Sequence, residues 1–311
     1  MKDHKENRIS RRSFIGGIAA AAITMGTSVS SGQERVKPAG KRQFKLKYAP
    51  NLGTFQNHAG KEAIDNLNFI ADQGFTAVED NAMLSRHPSE PEKIAKEMER
   101  LGMTMGVFVA YAEFSKQTFV TSDKSTRQML TDAMKTAVET AKKGNVKWTT
   151  VVLGAYNPRM DWDYQTVNVI ENLKWCAEVY EPAGVVMVLE PLNPRDHPGL
   201  FLTKISQAYQ ICKAVNSPSC KILDDLYHQQ VTEGNLIPNI DSAWEQIAYF
   251  QVGDNPGRCE PTTGEINYKN IFKHLYNKGY KGILGMEHGK SKPGKEGETA
   301  LIDAYAACDD F

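Results

Sequence analysis

Four oxygen-bearing side chains recur at one kind of position in the second half of the chain. Glu190 follows the apolar run 185–189, Asp225 lies just past 221–223, Gln251 sits near the end of 248–252, and Glu287 follows 282–286. The runs are rich in the branched and aromatic residues that buried parallel strands favour. One carboxylate at an apolar strand end is costly to bury. Three together are untenable unless they share a cation or a proton. Glu190, Asp225, Gln251 and Glu287 would form an all-oxygen shell of formal charge −3. Such a shell suits a divalent Mg2+ or Mn2+ and is a poor trap for zinc beside a Cys/His site.

The elements that must hold these residues alternate from about residue 44. Expected strands cover 44–49, 77–79, 104–110, 148–153, 185–189, 221–223, 248–252 and 282–286. Between them, helical spacing predicts helices over 61–73, 91–101, 126–142, 164–180, 204–215, 268–278 and 298–307, with a short one near 239–246. Ile64, Leu67 and Ile70 make one apolar stripe; Ile94, Met98 and Leu101 make another. Gly74, Gly102, Gly144 and Gly279 stand where helices should stop. Eight units of roughly 33 residues are each long enough for a βαβ crossover. They point to an α/β fold, a (β/α)8 TIM barrel, whose chemistry belongs where strands end and βα loops begin. The runner-up, an open doubly wound sheet, would show a glycine-rich fingerprint after its first strand. Asn51-Leu52-Gly53-Thr54-Phe55 has none.

Composition narrows the class. Of 311 residues, 41% are hydrophobic and 24% charged, as in soluble globular proteins. Lys+Arg and Asp+Glu are both 37, so no basic excess speaks for nucleic acid. Five of those bases and two of the acids fall in the first 30 residues, which leaves a net charge of −3 on the rest. The basic start, the stretch Ser10-Arg11-Arg12-Ser13-Phe14-Ile15 and the short apolar run 14–29 look like a twin-arginine signal. The expected organisation is a signal peptide over 1–31, a linker over 32–43 and the barrel over 44–311. A periplasmic or otherwise exported protein follows, with no stable membrane anchor after cleavage. Folding before export would keep Cys176, Cys212, Cys220, Cys259 and Cys308 as free thiols.

The runs Leu189-Glu190-Pro191-Leu192-Asn193, Asp225-Leu226-Tyr227-His228 and Gln251-Val252-Gly253-Asp254-Asn255-Pro256-Gly257-Arg258 resemble the hydroxypyruvate isomerase family. So does Glu260-Pro261-Thr262-Thr263-Gly264-Glu265-Ile266-Asn267-Tyr268. That family is one of the xylose isomerase-like TIM barrels. The resemblance implies a divalent metal on Glu190, Asp225, Gln251 and Glu287, with Glu190 and Glu287 doubling as the acid/base pair. It implies an isomerase or epimerase that passes a small sugar or hydroxy-keto acid through an enediolate. A metal-dependent dehydratase or lyase would use the same constellation. A homodimer is a form common among look-alikes. The chain departs from the pattern at Thr262, where the family often has glycine, at His288-Gly289-Lys290 and in the loop 111–122.

Other residues at the same barrel face carry two readings. His228 would hold a substrate oxygen, or make the structural hydrogen bond of a loop histidine. Arg258 would grip substrate oxygens or a carboxylate with its fork of donors, or pair with Glu260. Glu260 would orient Arg258 or touch substrate. Glu79 and His58 face the same mouth, open between functional and structural roles. Trp148 and Trp175 read as packing. A nuclease would want several histidine ligands and a basic groove, against seven histidines and no basic excess here.

Overall fold

Nine short strands supply the frame of a computed structural model that describes residues 42–311. The expected signal peptide, and the linker up to residue 41, lie outside the described residues. The strands are β1 (Lys47–Pro50), β2 (Ala77–Val78), β3 (Thr104–Met105), β4 (Val107–Glu113), β5 (Trp148–Leu153), β6 (Val186–Leu189), β7 (Cys220–Asp225), β8 (Ile247–Val252) and β9 (Ile283–Met286). Seven form a parallel sheet in the order β1-β9-β8-β7-β6-β5-β4, while β2 pairs with β3. Backbone bonds join the two sets. The Glu79 amide donates to the Pro50 carbonyl (2.9 Å), Leu52 to Glu79 (2.7 Å), Gly106 to Val78 (2.7 Å) and Asp80 to Val107 (3.2 Å). β3 and β4 are thus one barrel strand interrupted at Gly106, and eight strands close the (β/α)8 TIM barrel that the alternation of elements predicts.

Among the described residues ten α-helices accompany them: α1 (Gln56–Ala59), α2 (Ala63–Asp72), α3 (Glu90–Leu101), α4 (Lys124–Gly144), α5 (Trp162–Tyr180), α6 (Ile205–Val215), α7 (Leu226–Thr232), α8 (Leu236–Ala243), α9 (Tyr268–Asn277) and α10 (Gly294–Asp309). The apolar stripes are buried in part: α2 buries Leu67 and Ile70 but leaves Ile64 exposed, and α3 buries Ile94 and Met98 and stops at Gly102, whose φ of 67° is left-handed. Helices α1 and α7 are absent from the sequence reading because four and seven residues are too few to show a period. The start of α7 is instead a capping event. Asp225 ends β7 and its carboxylate accepts from the Tyr227 amide at 2.9 Å. Among the described residues no helix is long and apolar enough to cross a membrane. The five cysteines are free thiols, all but Cys259 buried.

Alternation along the strands fills the barrel axis. Ala49, Ala77, Val107, Val186, Val188, Leu223, Tyr249 and Ile283 form one interior cluster. Two residues further along their strands, on the same face, come Glu79, Glu190, Asp225, Gln251 and Gly285. Asp225 is level with Gln251, and Gln251 with Gly285. A Cβ on Gly285 would land inside the Glu79 carboxyl group, so this glycine is the space that a fully buried acid needs. Gly285→Ala should therefore lower stability by about 1–3 kcal/mol through overpacking. The loss should shrink when Glu79→Ala is combined with it, as denaturant melts of the double-mutant cycle would show. Simple additivity of the two losses would contradict the packing account.

Candidate metal centre

The strand ends deliver their side chains into one buried pocket. Glu190 is 9% exposed, Asp225 1% and Gln251 2%, with Glu287 half-buried above them. Glu190, Asp225 and His228 each offer one ligand atom, all within 4.8 Å of one another. His228 stands in the first turn of α7 and not in a loop. Its Nε2 is 3.8 Å from Glu190 Oε1 and 3.6 Å from Asp225 Oδ2. Gln251 donates from Nε2 to Glu79 Oε1 at 3.2 Å, which leaves its Oε1 buried without a hydrogen-bond partner. An orphaned carbonyl oxygen beside two buried carboxylates fits a hard divalent cation.

Burial and like charge set the protonation of this group. Burial, then the Asp225 and Glu287 carboxylates, push Glu190 up to about 8, against the pull of Arg258. Burial also raises Glu287, opposed by Arg258 and by Asn81, whose Nδ2 donates to Glu287 Oε2 at 2.6 Å. Glu79, wholly buried and next to Glu287, lies well above the carboxylate range. Burial lowers His228 to about 4, so its ring is neutral in ordinary buffers. Arg258 supplies the local positive charge. Its Nη2 donates to Asp225 Oδ2 at 2.6 Å, and its guanidinium lies 5.0 Å over the Tyr227 ring. Beside it, Asn51, Arg258, Met286, Glu287, His288 and Gly289 line a cavity of about 360 Å³, a size for small molecules.

The remaining candidates are distributed differently from the sequence reading. Arg258 pairs with Asp225 and not with Glu260. The Glu260 carboxylate accepts from the Ser291 amide (2.9 Å) and hydroxyl, and so ties down the loop after β9. His58 pairs with the buried Glu298 at 2.6 Å and anchors α1 to α10. Trp148 packs 5.9 Å from Tyr249 at the barrel axis. Trp175 is 43% exposed beneath Arg127, where packing was expected. Two amides were overlooked in the sequence. Asn81 reaches Glu287, and Asn193 reaches His228 Nδ1 at 2.7 Å. The available signal was position: Asn81 lies two residues past Glu79, and Asn193 three past Glu190.

Known proteins share this architecture. The sequence profile described as "Xylose isomerase-like TIM barrel" matches residues 67–308. Hydroxypyruvate isomerase of Escherichia coli (strain K12) is 37% identical over 139 residues, 44% of this chain and 53% of that protein. The chain thus spans about half the length of that relative. A 2-oxo-tetronate isomerase of Pectobacterium atrosepticum is 27% identical over 240 residues, covering 74% of this chain and 89% of that one. The crystal structure of an AP endonuclease, family 2, from Brucella melitensis superposes with a TM-score of 0.69 at 25% identity, over 83% of this chain and 98% of that one. The profile covers most of the barrel, including the four strand ends that gather the buried acids, and the chain belongs to the xylose isomerase-like TIM barrel family.

Proposed function

We propose that this protein is a divalent-metal-dependent isomerase or epimerase of hydroxypyruvate isomerase type, acting on a small sugar or hydroxy-keto acid. The observation that carries this reading is the buried group of Glu190, Asp225 and His228, with the unpartnered Gln251 Oε1 and Glu287, raised by burial, around it. Glu190, Asp225, Gln251 and Glu287 are the residues that would hold the cation, Mg2+ or Mn2+ by their oxygen donors, and when bound it supplies a Lewis acid for a substrate carbonyl. Glu190 and Glu287 serve as acid and base, since burial raises both above the ordinary carboxylate value and so brings them closer to the range in which a general acid or base works. One takes the proton α to the carbonyl. Return of a proton at the neighbouring carbon isomerises the substrate; return to the other face of the same carbon epimerises it. His228 and Arg258 would donate to substrate oxygens, from α7 and from the loop after β8. The export signal read over residues 1–31 belongs to the same proposal, as does a small-molecule substrate in place of a nucleic-acid partner.

Three outcomes follow. Treatment with a chelator should abolish turnover, and Mn2+ or Mg2+ should restore it; turnover that survives chelation would sink the mechanism. Glu287→Gln should keep its melting profile and lose about 10²–10⁴ in rate. The readout is deuterium uptake from solvent across ketoses, keto acids and 3-keto sugars, and wild-type exchange in this variant would remove Glu287 from the acid/base pair. The third concerns pH. Glu190 is raised from 4.5 to about 8, so the stability it lends the metal-free protein is full below its ordinary value and lost as pH climbs toward 8. A cation must displace that proton. Uptake of Mg2+ near pH 7 should release protons, seen by calorimetry in buffers of different ionisation enthalpy, and Glu190→Gln should reduce the release. Heats independent of the buffer would contradict the assignment.

A further inference from the structure

Asn193 is fully buried, and its side-chain amide is completely committed. Its Oδ1 accepts from the Arg195 amide (3.1 Å) and the Asp196 amide (2.8 Å). Its Nδ2 has two hydrogens. One goes to Asp196 Oδ2 at 3.0 Å, an oxygen that also accepts from the Tyr227 hydroxyl at 2.8 Å. The other points at His228 Nδ1, 2.7 Å away, and the Asn193 backbone N–H faces the same ring nitrogen at 3.3 Å. The opposite amide orientation would set an NH2 against two backbone donors and a carbonyl against the Asp196 carboxylate. The nitrogen therefore faces His228, and Nδ1 must accept.

A neutral imidazole that accepts at Nδ1 carries its hydrogen on Nε2. That nitrogen is buried, has no hydrogen-bond partner and lies among the carboxylates, 3.8 Å from Glu190 Oε1 and 3.6 Å from Asp225 Oδ2. The arrangement is the reverse of a ligating histidine. A metal-bound imidazole donates its remote N–H to an acceptor, which frees the other nitrogen's lone pair for the metal. Here the remote nitrogen receives hydrogens from Asn193, and the near one is left holding a hydrogen.

We infer that Asn193 is a positioning residue that locks His228 as the neutral Nε2–H tautomer, making it a hydrogen-bond donor into the site and withholding it from the cation. Of the three groups that converge within 4.8 Å, only the carboxylates of Glu190 and Asp225 then face a cation with open lone pairs. That the donor serves a substrate oxygen rests on the isomerase or epimerase reading; the tautomer itself does not.

The experiment is a long-range proton–nitrogen NMR correlation on the full chain, metal-free and 15N-labelled at histidine, with the His228 signals assigned by loss in His228→Gln. The wild type should show a protonated Nε2 and a bare Nδ1, and should keep both when Mg2+ is added. Asn193→Asp replaces the NH2 by an acceptor. It should move the hydrogen to Nδ1 and raise Zn2+ affinity about tenfold or more, the usual size of outer-shell effects on a ligand. A wild-type ring protonated at Nδ1, or Nε2 bound to Mg2+, would overturn the inference. So would an Asn193→Asp protein that retains the Nε2 hydrogen. Should that variant fail to fold, the wild-type spectrum decides. Absence of turnover on every sugar and keto acid, with the tautomer as expected, would remove the proposed activity and leave the role of Asn193 standing.

Discussion

Like charge confined inside the barrel is the constraint that the rest of the site answers. Glu79, Glu190, Asp225 and Glu287 converge where water is scarce. Two full charges about 4 Å apart at an effective dielectric near 20 repel by about 4 kcal/mol. Several such pairs would consume most of the stability of a domain. The molecule answers with separate devices. Glu190 keeps its proton up to about 8. Arg258 sets a guanidinium on Asp225 at 2.6 Å, and Asn81 donates to Glu287 at 2.6 Å. The amino end of α7 presents the Tyr227 amide to Asp225, where the helix dipole favours a negative group. A divalent cation would relieve what these leave over.

The barrel makes the convergence by alternation and by leaving room. Side chains two apart on a strand share a face, so Val188 and Glu190, Leu223 and Asp225, Tyr249 and Gln251 all point to the axis. The axis is narrow, and its large polar groups need empty neighbours. A Cβ on Gly106 would collide with the Tyr249 hydroxyl and Glu79, much as one on Gly285 would with the Glu79 carboxyl. Loops are then pinned from outside the pocket. Asp254 accepts from the amides of Asn255 (2.9 Å), Gly264 (2.8 Å) and Ile266 (3.0 Å), which shapes the turn that presents Arg258. Glu260 holds Ser291, and Glu298 holds Asn57 and His58. Asp254, Glu298 and Glu260, the last a candidate site residue from the sequence, thus work as loop anchors.

Strand ends were legible because their cue is local. An apolar run with a polar, oxygen-bearing side chain at or near its end announces a position whatever the tertiary contacts, and Glu190, Asp225, Gln251 and Glu287 were read that way. The partners of polar side chains were not legible, because hydrogen bonding across the barrel depends on register and shear. Nothing in the sequence near Glu287 points to Asn81, some 200 residues earlier. Of the two readings for Arg258 and for Glu260, the one that paired them fails for the same reason, since the turn sends them to different partners. Thr262 shows a middle case. The family often has glycine there, and the structure gives the residue a φ of 77°, in the region where a β-branched side chain is strained. The departure was readable; its backbone meaning was not.

The environment also exchanges the ordinary duties of carboxylate and imidazole. Free in water, a histidine titrates near neutrality and a glutamate well below it. Here burial drives them past each other, His228 down to about 4 and Glu190 up to about 8. The largest cause of both shifts is the cost of a charge away from water, which acts on the protonated form of one group and the deprotonated form of the other. Adding a proton to His228 would place a cation in the pocket at the expense of its acceptor bond from Asn193, whereas Glu190 can gain or lose one within reach of the Arg258 guanidinium. Near neutral pH the His228 ring therefore stays neutral, and of the two it is Glu190 that can exchange a proton.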